Sequence, residues 1–334
     1  MRICVVGAGA IGGLVAAKLA RAGDEVTVVA RGANLAAIRE RGLALREDGA
    51  EQVARVRATD RVVEIGPQDA IVLAMKAHQV APVAAEVAAV AGPATTVVTM
   101  QNGIPWWYFF RHGGPHEGTR LESVDPGGLI AASLDAAKVV GAVVYPAAEL
   151  AAPGVIQHVE GNRFTLGELD GSETPRVKAL AEAFRRAGFK ARVASDLRSE
   201  IWVKLWGNCT FNPLSAITHA TLGAICRFPP SRALAADMMR EAQAVGEKLG
   251  ARFGVSLEKR IAGAESVGEH KTSMLQDVEA GRPIELEALL GSVVELGRIT
   301  GTPTPSLSAV YACASLLAKT LADRGARVSV DVAR

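Results

Sequence analysis

Three residues in "EIWVKLWGNCTFNP", Glu200 to Pro213, have the types and spacing to do chemistry. Lys204, Asn208 and Asn212 recur every four positions, the interval that stacks side chains along one side of a helix. Ile201, Trp202, Leu205, Trp206 and Cys209 cover much of the remaining circumference. A polar stripe on so apolar a helix either faces water or lines a cavity. In a cavity, an ammonium within hydrogen-bonding distance of a ketone can stabilise the charge that builds on oxygen during reduction, and can donate the proton. Flanking Trp202, Leu205 and Trp206 predict a partly desolvated amine with a lowered pKa. A lysine snorkelling to water is the plain alternative. The two asparagines favour the cavity, because amides beside tryptophans need partners.

A reduction of that kind needs a hydride source, and the N-terminus carries a fitting signature. Gly7-Ala8-Gly9-Ala10-Ile11-Gly12 follows a strand-like run and opens a small-residue helix, the context a dinucleotide fingerprint requires. Gly7 allows the tight turn, Gly9 lets backbone approach a pyrophosphate, and Gly12 permits close helix–strand packing. The helix N-terminus adds free N–H groups and a positive dipole. About 20 residues beyond such a motif, an NAD site has an acid for the ribose hydroxyl. This chain has Arg31 there, which can grip a 2′-phosphate with two parallel hydrogen bonds. Lys76, closing "IVLAMK", is a second cation at the same sheet edge. The expected cofactor is NADP(H).

The elements that must hold these residues follow from periodicity. The first hundred residues alternate buried strands ("RICVVGAG", "DEVTVVAR", "AIVLAMK", "TTVVTMQNG") with helical patterns, which predicts βαβ units and a parallel sheet. A polar, Gly/Pro-marked stretch, 111–128, reads as a long loop or hairpin, after which "AAKVVGAVVYP" and "NRFTLGEL" restore strand character. From about Ser195 the pattern is almost wholly helical. The expectation is an α/β protein: an N-terminal Rossmann-type dinucleotide-binding domain, 1–195, with a C-terminal all-helical domain, 196–334.

Bulk properties exclude other classes. The formal charge is only +2 over 334 residues, which gives no whole-chain argument for nucleic acid or a membrane surface. The apolar start is interrupted by glycine with no cleavage pattern after it. The weakly polar run "VVGAVVYPAAELAAPGVI" holds Glu149 and two prolines, which a spanning helix tolerates poorly. Cys4, Cys209, Cys226 and Cys313 are far apart, with no zinc spacing, so reduced thiols are expected. His112 and His116 straddle Gly-Gly-Pro, which spoils metal geometry. The chain reads as soluble and cytoplasmic. A homodimer is compatible with the sequence, which does not fix oligomeric state.

"MRICVVGAGAIGG", "MKAHQ", "QNG", "EIWVKLWGNCTFNPLSAI" and "SMLQDVEAGRPIELE", in this order, resemble ketopantoate reductase, the NADPH-dependent 2-dehydropantoate 2-reductase family of pantothenate biosynthesis. The resemblance runs from residue 1 to about 320 and is weak at 104 to 140. It implies a Rossmann domain packed on a helical domain, with the chemistry in the cleft between them. It implies Lys204 as general acid, Asn208 and Asn212 around a small 2-keto acid, and Ser273 near its carboxylate. Glu285 would sit near the nicotinamide ribose and substrate hydroxyl, and Asn102 would touch cofactor and substrate. Arg31, Lys76 and Gln79 would surround the adenosine phosphate, with Ala147 backbone against the cofactor. Each has a plainer reading. Ser273 with Gln276 forms a plausible capping box, Glu285 a helix-start acid favoured by the dipole, and Asn102-Gly103 a turn.

Two departures bear on substrate. The aromatic block "IPWWYFF" follows Asn102-Gly103; Trp106, Trp107 and Tyr108 either border the cleft or pack inward. Leu222 stands where the family often has asparagine, and sites built to bond a hydroxyl discriminate strongly. The rivals to ketopantoate are another small branched 2-keto acid or aldehyde, and a non-catalytic NADPH sensor.

Overall fold

Short β-branched runs bounded by glycine build the first half of the chain. A computed structural model describes residues 1–328 and divides into two compact units, Met1–Leu197 and one beginning at Arg198. The first opens with β1 (Arg2–Val6), α1 (Ala10–Arg21), β2 (Glu25–Val29), α2 (Gly32–Arg41), β3 (Leu43–Glu47), β4 (Ala50–Ala54) and β5 (Arg57–Thr59). β6 (Ala70–Leu73), α3 (Ala81–Val90), β7 (Thr96–Thr99), α4 (Leu129–Ser133) and β8 (Val139–Val144) continue it. β9 (Ala147–Ala152), β10 (Val155–Glu160), β11 (Arg163–Glu168), α5 (Pro175–Arg186) and β12 (Lys190–Val193) complete it.

The main sheet runs β12-β11-β8-β7-β6-β1-β2-β5. The strands from β8 to β5 are parallel to one another, as expected for those of the first hundred residues; at the far edge β11 pairs antiparallel with β8. Ile3, Val5, Val28, Val72 and Val98 are fully buried, which is why the strands read as continuous apolar runs. At β1 the order reverses, with β2 on one side and β6 on the other, and ligands of open α/β sheets collect outside the carboxyl ends of strands at such a point.

A second sheet, β4-β3-β10-β9, was not foreseen. Its hairpin turns at Asp48 and Gly49, both at positive φ, and β10 joins β3 in parallel from more than a hundred residues away. It lies on α1, where a Cβ added at Gly13 would come 2.5 Å from the Ile156 side chain. The weakly polar run noted above supplies β8, β9 and β10. Residues 111–128 hold no strand. They form turns wound on carboxylates, Glu117 accepting from the backbone N–H groups of Arg111 (2.8 Å) and Gly113 (2.7 Å), and Glu122 from that of Gly127 (2.9 Å).

The second unit is helical throughout its described residues: α6 (Leu197–Thr218), α7 (Leu222–Arg227), α8 (Pro229–Lys248), α9 (Leu257–Ser266), α10 (Ser273–Glu279), a π-helical turn at Glu287–Gly291, α11 (Ser292–Ile299) and α12 (Pro305–Arg324). Trp202 and Trp206 are fully buried against Phe253, with ring centroids at 6.5 and 4.8 Å, and the Trp206 indole donates to Met239 O at 2.7 Å. A tryptophan so placed contributes roughly 3–5 kcal/mol against alanine. No helix among the described residues is long and apolar enough to cross a membrane.

Candidate active site

In the first unit, the carboxyl ends of β1, β2, β6 and β7 set out the candidate residues. Gly7 takes φ +99° as the chain leaves β1, and the N–H groups of Gly7 and Ala8 both donate to Val29 O, at 3.0 and 3.3 Å. A Cβ on Gly12 would lie 1.9 Å from Gly7 O, so the helix meets the turn as closely as glycine allows. A Cβ on Gly9 would meet no protein atom within 4 Å. Packing therefore does not require glycine at position 9, and the space beside it is open. Ala10 and Ile11 open α1, whose first turn has no acid and no side-chain cap, leaving its N–H groups to a ligand. The chain fits a dinucleotide pyrophosphate here.

Arg31 is exposed at the N-cap of α2, directly after β2; its carbonyl accepts from Leu35 N at 3.3 Å, and its guanidinium makes no hydrogen bond or ion pair among the described residues. Lys76 and Gln79 follow β6, and Gln79 Oε1 accepts from the Lys76 backbone N–H at 3.2 Å, so that oxygen holds the turn. Asn102 follows β7. Its neighbour Gln101, which the sequence did not single out, donates to Leu73 O (2.8 Å) and Met75 O (3.1 Å) and so fixes the Asn102 loop against the Lys76 loop. Ala147 begins β9 just past the end of β8, at the same sheet edge.

The aromatic block packs inward. Trp107, Tyr108 and Phe109 are buried and the Trp107 indole donates to Thr99 Oγ1 at 2.9 Å; Trp106 is half-buried. Leu222 opens α7 behind the Thr221 cap, half-buried, and its N–H donates to His270 O at 3.1 Å, so no side-chain amide stands there.

In the second unit α6 carries the polar stripe. Lys204 and Asn208 are half-buried, and Asn212 is only 6% exposed. Neither asparagine side chain meets a hydrogen-bond partner among the described residues. Burial pushes the Lys204 ammonium down from its ordinary range to about 8, while the nearby Glu285 carboxylate works in the opposite direction. The structure thus brings Lys204 and Glu285 within electrostatic reach. The lowered pKa is that of the desolvated amine the sequence suggests. At 3.6 residues per turn, Trp202 and Trp206 each lie roughly 160° around the helix from Lys204, on the face turned to Phe253 and Met239.

Of two helix-start readings, one changes and one stands. Ser273 is not a cap: Thr272 caps α10, its hydroxyl accepting from Leu275 N at 3.3 Å, and this leaves the exposed Ser273 hydroxyl at the first helical position for other work. Glu285 precedes the helical turn that starts at Leu286 and leads into the π segment. The loop reaching it is held by Arg282, whose Nε donates to Asp277 Oδ1 at 2.9 Å. Among the described residues no group of acids, histidines and cysteines could hold a metal ion.

Comparison with known proteins finds relatives for both halves of the chain. Residues 3–117 match the family model "Ketopantoate reductase PanE/ApbA", and 196–318 match its C-terminal model. A 2-dehydropantoate 2-reductase of Mesorhizobium japonicum is 56% identical over 95% of this chain and 98% of its own length. One of Archaeoglobus fulgidus is 30% identical over 90% and 92%. A structure from Ralstonia solanacearum, described as a candidate ketopantoate reductase, superposes with a TM-score of 0.91 at 42% identity, covering 96% of this chain and 98% of that one. With both halves matched and more than half the residues shared with a curated relative, the chain belongs to the ketopantoate reductase family.

Proposed function

We propose that the chain reduces 2-dehydropantoate to pantoate with NADPH, residues 1–195 holding the cofactor and 196–334 the catalytic lysine. The observation that carries the reading is Lys204: a desolvated amine with pKa about 8, beside Glu285 and on one stripe with the buried, unpartnered amide of Asn212. When bound, the reduced nicotinamide supplies a hydride to the keto carbon. Lys204 donates its proton to the keto oxygen as charge develops there, and the ammonium stabilises that charge before the transfer is complete. Glu285 helps keep the amine protonated until then. Asn208 and Asn212 offer amide donors and acceptors to the substrate oxygens, which accounts for polar side chains at that depth. In this reading the exposed Ser273 hydroxyl donates to the substrate carboxylate, and Asn102 serves cofactor and substrate.

The Arg31 guanidinium, without a partner among the described residues, supports NADPH over NADH, with Lys76 and Gln79 at the same carboxyl edge of the sheet and Ala147 lending backbone. Arg31→Ala should raise the Kd for NADPH about 10- to 100-fold, the scale of a lost charge-assisted pair, and leave NADH within about twofold. Fluorescence titration of both cofactors reads this directly, and equal losses would remove the phosphate contact. The activity itself is tested by mixing protein, NADPH and ketopantoate and following the absorbance of the reduced cofactor. A higher kcat/KM for another branched 2-keto acid would change the substrate. Cofactor binding with no turnover across a carbonyl panel would support a sensor instead. The cytoplasm, where thiols stay reduced, is the compartment that fits.

A further inference from the structure

The fingerprint turn has one carbonyl whose direction matters. Ala8 lies between Gly7 and Gly9, and its oxygen carries the negative end of a peptide dipole beside the place a pyrophosphate occupies. Asn34 holds that oxygen, its Nδ2 donating to Ala8 O at 2.7 Å. Its Oδ1 is occupied too, accepting from Gly154 N at 2.7 Å in the turn between β9 and β10. One half-buried amide thus spans three separate pieces of chain, with partners 26 and 120 residues away. Asn34 also stands in the first turn of α2, three residues after Arg31.

We infer that Asn34 is a positioning residue for dinucleotide binding: it anchors the Ala8 carbonyl so that the phosphate turn presents N–H groups rather than an acceptor. Val29 O fixes the amide side of the turn through Gly7 and Ala8, and Asn34 fixes the carbonyl side. The second sheet acquires a purpose by this route, because Gly154 orients the asparagine. Only an amide can serve both partners at once. A carboxylate accepts from Gly154 but confronts Ala8 O with a second acceptor, and adds negative charge next to the turn.

The inference rests on the first unit being a dinucleotide site. Asn34→Ala and Asn34→Asp are compared with wild type by titration with NADPH, NADH and 2′-AMP, alongside melting temperature. Alanine should weaken NADPH and NADH by the same factor, roughly tenfold. Aspartate, though nearly isosteric, should weaken both about tenfold further by like-charge repulsion. 2′-AMP, which lacks the pyrophosphate and reports on the Arg31 side, should bind the alanine variant within about twofold of wild type, if the role is confined to the phosphate turn. Dinucleotide affinities unchanged while the melting temperature falls would reduce Asn34 to a structural tie and overturn the inference. So would an aspartate variant that binds NADPH as wild type does, or an equal loss for 2′-AMP in the alanine variant. If wild type fails to prefer NADPH, the Arg31 reading falls, while a common Asn34 effect on both dinucleotides still stands.

Discussion

Lys204→Ala is expected to lower kcat for ketopantoate reduction between about 100- and 10,000-fold, the range a positioned general acid supplies, with the Kd for NADPH unchanged. On the proposed mechanism the substitution removes the proton donor and the positive charge at the keto oxygen together. Lys204→Arg separates the two. Arginine keeps a charge but holds its proton far too tightly to give it up near neutrality, so it should recover the electrostatic part only and remain well below wild type. Stability should not confuse the comparison. The stripe carrying Lys204 faces away from the Trp202–Trp206–Phe253 packing that holds α6 in its unit; Glu285 loses a compensating charge in the alanine variant but keeps one in the arginine variant, and melting temperatures of both separate that effect from the chemistry. Single-turnover rates of NADPH oxidation, measured with enzyme in excess, isolate the chemical step.

The next largest effects are expected at two glycines of one turn, for opposite reasons. Gly12→Ala forces a methyl to within 1.9 Å of Gly7 O and 2.9 Å of the Ala74 Cβ. Neither obstacle is the end of a flexible side chain, so the turn itself must move, at a cost of about 1–3 kcal/mol or more. Both the melting temperature and NADPH affinity should fall. Gly9→Ala meets no protein atom within 4 Å, and φ there is −76°, which alanine adopts freely. Its melting temperature should match wild type. NADPH affinity should nevertheless drop by about 100-fold, because the added methyl occupies the approach that glycine leaves to the pyrophosphate. Thermal melts and cofactor titration on the two proteins check both statements. A Gly9→Ala protein that binds NADPH normally would remove the phosphate from that position.

How much of this was legible in the sequence follows from the range of each interaction. The phosphate turn could be read because its requirements are local: Gly7 to Gly12 are six neighbours, and each glycine has its own steric reason. The lysine–asparagine stripe could be read because helical period is a short-range property. Thr272 and Ser273 are both able to cap, and only the backbone trajectory selects the first. The second sheet escaped notice because β3 and β4 are five-residue strands, β4 largely exposed, and β10 reaches them from far along the chain. Asn34 escaped for the same reason: no window of sequence contains Ala8, Asn34 and Gly154. The aromatic block could not be oriented until Trp107 was found to donate to Thr99.

Proton delivery by Lys204 is tested most directly by the pH dependence of kcat/KM in both directions. The acid form is the competent one for reduction. With the amine's pKa at about 8, the rate of ketopantoate reduction should be level on the acid side and fall about tenfold per pH unit above that value. Oxidation of pantoate by NADP⁺ requires the neutral amine and should rise through the same pH. A reduction profile that stays flat from pH 7 to 10, or one whose alkaline limb survives unchanged in Lys204→Ala, would contradict the assignment.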